Sequence, residues 1–136
     1  MKANEDYFDQ LEFLITRAKK LGADEVDTII INGIALSSAY RLGKTERIER
    51  SEAMDLGIRV FKGNRQAIAS SSDLSLSALK KVAERAMAMA KSVPEDPYCG
   101  IADRNQVANT NMATLDLVES REPTIDDLTD RARASE

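Results

Sequence analysis

Apolar positions along the chain change period three times, and each change marks a change of element. From Glu5 to Leu21, Tyr7, Leu11, Leu14, Ala18 and Leu21 recur three or four residues apart, with Phe8 and Ile15 widening the stripe. That spacing predicts an amphipathic helix. Lys19 and Lys20 suit the negative end of its dipole, and Gly22 suits its C-terminal cap. From Glu25 to Ser71 the period falls to two. Val26–Ile31 predicts a first strand, with Asn32-Gly33 as a hairpin turn because that pair tolerates positive φ. Ile34–Leu42 alternates as a second strand, and Gly43-Lys44 reads as the next turn. Thr45–Ser51 reads as an exposed third strand around Ile48. Leu56–Phe61 forms a fourth strand, Gly63-Asn64 a turn, and Gln66–Ser71 a fifth strand.

Helical period then returns. Ser75 is a candidate N-cap, and Leu79, Val82, Ala83, Ala86, Met87 and Ala90 form a stripe that Pro94 and Pro97 end. Residues 93–103 read as extended. Residues 104–123 read as a polar linker or surface excursion, with Leu115 and Leu117 docking as a short strand. Thr124 and Asp127 form a capping-box pattern, and Ile125, Leu128 and Ala132 begin a last helical stripe with little to bury. The expected fold is α/β of the α+β type: a two-layer sandwich of an antiparallel, four- to five-stranded sheet with two helices on one face. Residues 1–103 form the domain, 104–123 the linker, and 124–136 the start of a helix that leads into a further, C-terminal domain.

Composition narrows the chemistry. The 136 residues allow one ordinary domain, 43% of them are hydrophobic and 31% charged, and only 4% are aromatic, so the core must be aliphatic. Histidine is absent. Ser-His-Asp and Cys-His catalysis and imidazole metal ligation are thereby excluded within the chain. The single cysteine, Cys99, cannot form an internal disulfide. No apolar run approaches a membrane span, and the acidic start Glu5-Asp6 does not resemble a signal peptide, so the expected location is cytoplasmic. The net charge of −4 argues against nucleic acid as the main partner.

Charge is nevertheless uneven. Residues 28–65 carry seven Lys/Arg against four Asp/Glu, whereas residues 1–27 carry four against seven. The basic strand region presents Arg41, Lys44, Arg47, Arg50, Arg59, Lys62 and Arg65 as a possible partner-contact surface. The alternative is a solvated sheet face neutralised by the interleaved Glu46, Glu49 and Glu52. Ser70-Ser71-Ser72-Asp73-Leu74-Ser75 with Lys80 and Lys81 nearby raises a Ser–Lys pair, but Ser and Asp between a strand and a helix are better read as turn and cap residues. Cys99 lacks a cationic neighbour that would activate it. Asp126, Asp127 and Asp130 lack the spacing of a calcium loop and suit a helix N-terminus. Gly57 inside a strand marks a bulge or a close approach. No catalytic, cofactor-binding or metal-binding residue emerges.

A connected series of motifs adds a resemblance. Tyr40-Arg41-Leu42-Gly43 is followed by Glu46 and Ile48, then Leu56-Gly57-Ile58-Arg59-Val60 and Gly63-Asn64-Arg65. Ala69-Ser70-Ser71-Ser72-Asp73-Leu74-Ser75 and Asp96-Pro97-Tyr98-Cys99-Gly100-Ile101-Ala102-Asp103 complete it. In order and spacing this series resembles the N-terminal domain of the TldD/PmbA family, once called modulators of DNA gyrase, and its last motif resembles the PmbA (TldE) branch. The resemblance implies a subunit of a TldD–TldE-type metallopeptidase complex that acts on small or unfolded peptides. In that family the TldD-like partner of the heterodimer holds the metal, zinc by expectation, through an HExxxH motif. This chain, without histidine, would hold no cofactor and would shape chamber and subunit contacts. The alternative is a protein-interaction module, a gyrase-modulator-like regulator that uses the basic strands and has no role in proteolysis.

Overall fold

A computed structural model describes residues 4–108, 113–117, 119 and 121–136. Three helices and three strands follow in the order α1 (Asn4–Lys20), β1 (Glu25–Arg41), β2 (Lys44–Lys62), β3 (Arg65–Ser71), α2 (Leu76–Ser92) and α3 (Ile125–Ser135). The sheet is antiparallel where its register is defined, with strand order β1-β2-β3. The α+β class stands, but three long strands replace the four or five expected.

The expected hairpin at Asn32-Gly33 does not form. An Asn-Gly turn of the tight hairpin type needs positive φ at both residues, and neither has it. The chain stays extended through them, so the first two expected strands are one 17-residue strand. The third and fourth likewise merge into the 19 residues of β2. The turn that does close β1 on β2 is Leu42-Gly43, one residue earlier than expected, with φ of 52° and 73°. Leu42 thus belongs to the turn and not to the strand. At the next turn Gly63 alone takes positive φ, 55°, which fits a Gly-first hairpin turn.

The chain divides into two compact units, Met1–Asn32 with Met54–Arg104, and Gly33–Ala53 with Asn105–Glu136. The first holds every buried residue among those described. Leu56, Ile58 and Val60 on β2 lie on one sheet face with Ala67 and Ala69 on β3, since Ile58 pairs with Ala69 and Val60 with Ala67. Leu14 and Ala18 of α1 and Leu79, Val82, Ala83, Ala86, Met87 and Ala90 of α2 complete this aliphatic core, with Leu11, Phe13, Leu21, Val26 and Ile30 packed at its margin. Phe13, not Phe8, is the aromatic residue that α1 turns inward; Phe8 is 67% exposed.

Both helices of this unit are capped as their sequences require. At the end of α1, Ala23 N–H donates to Ala18 O and Gly22 N–H to Lys19 O, both at 3.0 Å, with Gly22 at φ 98°. That is a Schellman closure, and it needs the glycine's freedom from a Cβ. Ser75 Oγ accepts from Ala78 N–H at 3.3 Å to start α2. Beyond α2, the segment 93–103 is tied at two points: Asp96 N–H donates to Asn64 O at 2.6 Å, and Ile101 N–H to a Glu25 carboxylate oxygen at 3.4 Å.

The second unit has no buried residue among those described. Its helix α3 begins with a full capping box. Thr124 Oγ1 accepts from Asp127 N–H at 3.1 Å, and the Asp127 carboxylate accepts from Thr124 N–H at 2.9 Å. α3 meets β1 through a 2.8 Å hydrogen bond between the Ser38 and Thr129 hydroxyls and through Arg133, whose guanidinium lies 5.2 Å from the Tyr40 ring centroid. Leu128 and Ala132 are half-buried. The short strand expected at Leu115 and Leu117 is not present: both are non-strand and exposed, at 66% and 81%.

Candidate interaction surfaces

The seven basic residues divide between the two units. Arg41, Lys44, Arg47 and Arg50 lie in the second unit and Arg59, Lys62 and Arg65 in the first. Six of them are paired with carboxylates. Arg41 meets Glu46 at 3.7 Å, Arg47 meets Glu49 at 3.6 Å and Arg50 meets Glu52 at 2.7 Å. Such exposed pairs add little stability but cancel the field that a basic surface would project. Lys44 has no ion pair among the described residues.

In the first unit the pairs are part of the framework. Lys62 Nζ and the Gly63 N–H donate to the Asp24 carboxylate at 2.9 and 2.7 Å, joining the end of α1 to the β2–β3 turn. The Gly63 amide, then Lys62, hold the Asp24 carboxyl below the usual range. Arg65 Nε donates to Val93 O at 3.0 Å and its guanidinium meets Glu95 at 3.1 Å, fastening the exit of α2. Arg59 is held by Asp27 in a forked contact, with Nε 3.1 Å from each carboxylate oxygen, and lies 5.2 Å from the Phe61 ring centroid. The Asp27 hydrogen bonds raise the already high pKa of Arg59.

The sheet face away from the core carries a feature the sequence did not single out. Pairing of Arg59 with Ile68 and Gly57 with Ser70 puts these residues on that outer face. There Ile29, Gly57, Ile68, Asp27 and Arg59 surround a shallow apolar depression of about 400 Å³. Ile29 and Ile68 are 56% and 63% exposed. Gly57 marks a close approach, as one of its two sequence readings holds: a Cβ there would stand 3.2 Å from Ile29 Cγ2. The outward phase of Ile29 and Ile68 within otherwise regular alternation was the available signal.

The serine run serves the backbone. Ser71 Oγ accepts from Asp73 N–H at 3.0 Å, and the Asp73 carboxylate accepts from Ser75 N–H at 2.8 Å, which lowers its pKa. Ser71, Ser77 and Lys81 do border one open depression of about 340 Å³, with Asp73 and Arg85. Arg85 there donates to Ser70 O at 2.8 Å. Asp127 is the partner of Thr124 in the capping box, whose hydrogen bonds lower its pKa, and Asp130 meets Arg133 at 3.1 Å. Among the described residues no cluster of His, Cys, Asp and Glu is arranged to hold a metal ion. No helix among them is long and apolar enough to cross a membrane.

Comparison with known proteins places this α+β domain in a family. Residues 26–90 match PmbA/TldA metallopeptidase domain 1. The whole chain is 34% identical to the metalloprotease PmbA homolog of Haemophilus influenzae, of which it covers 30%. Over 93% of its length it is 30% identical to the metalloprotease PmbA of Escherichia coli O157:H7, of which it covers 28%. The chain thus spans under a third of the length of these relatives. Two solved structures share the fold. A Bacteroides thetaiotaomicron protein described as a candidate modulator of DNA gyrase superposes over 96% of this chain and 30% of its own, with a TM-score of 0.84 at 15% identity. TldE from Thermococcus kodakarensis superposes over 69% of this chain and 21% of its own, with a TM-score of 0.62 at 20% identity. The class is therefore a domain of a metallopeptidase family. The chain belongs to the TldD/PmbA family and carries its N-terminal domain, as the motif series implied.

Proposed function

We propose that this chain is the N-terminal domain of a PmbA/TldE-like subunit in a cytoplasmic, TldD–TldE-type metallopeptidase complex that acts on small or unfolded peptides. In this reading it is non-catalytic and contributes to the chamber wall and to subunit contacts, with residues 104–123 as connection and 124–136 as the start of the approach to a C-terminal domain. The observation that carries it is the match of the whole chain to PmbA proteins, joined to a sequence with no histidine. These 136 residues, without imidazole, cannot themselves supply an HExxxH zinc site, and the PmbA/TldE-like reading assigns the metal, zinc by this proposal, to a TldD-like partner. Among the described residues no cluster of His, Cys, Asp and Glu is arranged to hold a metal ion.

The test is peptide hydrolysis by the full-length protein, alone and mixed with a TldD-like subunit. Activity is expected only in the mixture, and a chelator should abolish it. Chelator-insensitive hydrolysis by these 136 residues alone would refute the proposal. The reading as a basic regulatory module has less support, because six of its seven cations are paired with carboxylates.

A further inference from the structure

The strongest turn signal in the sequence makes no turn. Asn32 and Gly33 lie within β1, and neither has positive φ. Gly33 also has no close neighbour, since a Cβ built there would meet nothing within 4 Å. Neither backbone freedom nor tight packing therefore requires a glycine at this position, and glycine weakens a strand. What the pair retains is a covalent reactivity that depends on both residues. The Asn32 side-chain amide carbon is an electrophile within reach of the next main-chain nitrogen. Glycine, having no side chain, leaves that nitrogen unshielded.

Little opposes this reactivity once the strand opens. Asn32 and Gly33 are exposed, and the Asn32 side chain makes no hydrogen bond among the described residues. Residues 31–35 are all exposed, with Ile31 and Ile34 at 58% and 59%. β1 is an edge strand, paired on one side only among the described residues. A stretch without buried apolar contacts opens locally, with no need for global unfolding. While β1 is extended, the Gly33 nitrogen and the Asn32 Cγ are not aligned for attack. The strand holds the reaction back, and its opening releases it.

We propose that Asn32-Gly33 is a site of spontaneous deamidation, gated by local opening of β1. Hydroxide takes the proton of the Gly33 amide, and the nitrogen attacks Asn32 Cγ. The new N–Cγ bond closes a succinimide ring, while the side-chain nitrogen takes a proton from water and leaves as ammonia. Water then opens the ring at either carbonyl. Cleavage at Cγ gives aspartate, and cleavage at the main-chain carbonyl gives isoaspartate. No oxidant, reductant or enzyme is required. Either product places a carboxylate on β1. Isoaspartate also adds one carbon to the main chain, which breaks the strand's two-residue alternation beyond it.

The experiment holds the full-length protein at neutral and mildly alkaline pH. Peptide mapping by mass spectrometry follows conversion of each asparagine, with electron-transfer fragmentation to separate isoaspartate from aspartate. Asn64 is the internal reference: Arg65 crowds the nitrogen that follows it, and its turn is tied by the bond from Asp96 N–H to Asn64 O. Asn32 should convert at least fivefold faster than Asn64, give both products, and speed up as pH rises. Urea below the unfolding transition should accelerate it in step with hydrogen exchange of the Gly33 amide. Gly33→Ala places its methyl in open space on the same backbone. It should keep the denaturation midpoint and slow conversion at least fivefold. Conversion at Asn32 no more than twice that at Asn64, or unchanged by Gly33→Ala, would overturn the site. Conversion as fast as in a short peptide of the same sequence, and indifferent to urea, would overturn the gating by β1.

Discussion

Removing the hydroxyl of Thr124 should loosen α3 without touching the core. Thr124 Oγ1 accepts from the Asp127 amide, and Thr124 O accepts from the Leu128 amide at 3.1 Å. Thr124→Ala deletes the first of these bonds and one partner of the Asp127 carboxylate. N-cap replacements of this kind cost about 1 kcal/mol. That is roughly a fivefold change in an opening equilibrium. The second unit has no buried residue among those described, so apart from polar contacts such as the Ser38–Thr129 hydrogen bond little holds its helix in place. Amides with few apolar neighbours exchange through local opening and not through global unfolding. Hydrogen–deuterium exchange at neutral pH, read by mass spectrometry or NMR, should therefore show the α3 amides from Asp127 onward exchanging about fivefold faster, by the same cap estimate. Amides of Val82–Met87 in α2 should keep their rates, and Thr124→Ser should restore α3. Unchanged α3 exchange would mean that the cap contributes nothing, and equal acceleration in α2 would mean that the two units do not open independently.

Two further outcomes follow from the first unit. Leu79 is fully buried between α2 and the sheet, so Leu79→Ala should cost about 2–5 kcal/mol in urea unfolding; a loss under 1 kcal/mol would show a core that collapses around the gap. Asp24 has its pKa lowered by the Gly63 amide and Lys62. A depressed carboxylate contributes stability that is fully present above its unfolded value and is lost as pH falls through the folded one. Thermal stability should thus hold from neutral pH down to the ordinary carboxylate range and decline below it. Asp24→Asn should flatten part of that decline, and an unaltered acid profile in this variant would rule out the linkage.

The helices of the first unit were legible because their signals are local and agree with one another. The stripe of α2, its Ser75 cap and the prolines after it all point to one boundary, and packing reinforces each. The strands were less legible for the same reason reversed. Asn32-Gly33 is a strong turn signal in isolation, but pairing across a long ladder keeps those residues extended. Leu42 hid the true turn, because its side chain argues against the left-handed conformation it adopts. The cations were visible by type, whereas their neutralisation depends on neighbours two residues along a strand, as with Arg50 and Glu52, or on residues far away in sequence, as with Arg59 and Asp27. The outer depression beside Gly57 needs the pairing of β2 with β3 before it can be seen at all.

Cys99 sits on the segment that joins the Asn64 turn to the start of β1, and it is half-buried. Because these 136 residues hold no other sulfhydryl, a nitroxide or dye coupled to them would occupy a single defined address without any engineering. Its spectrum would report when that segment lifts away.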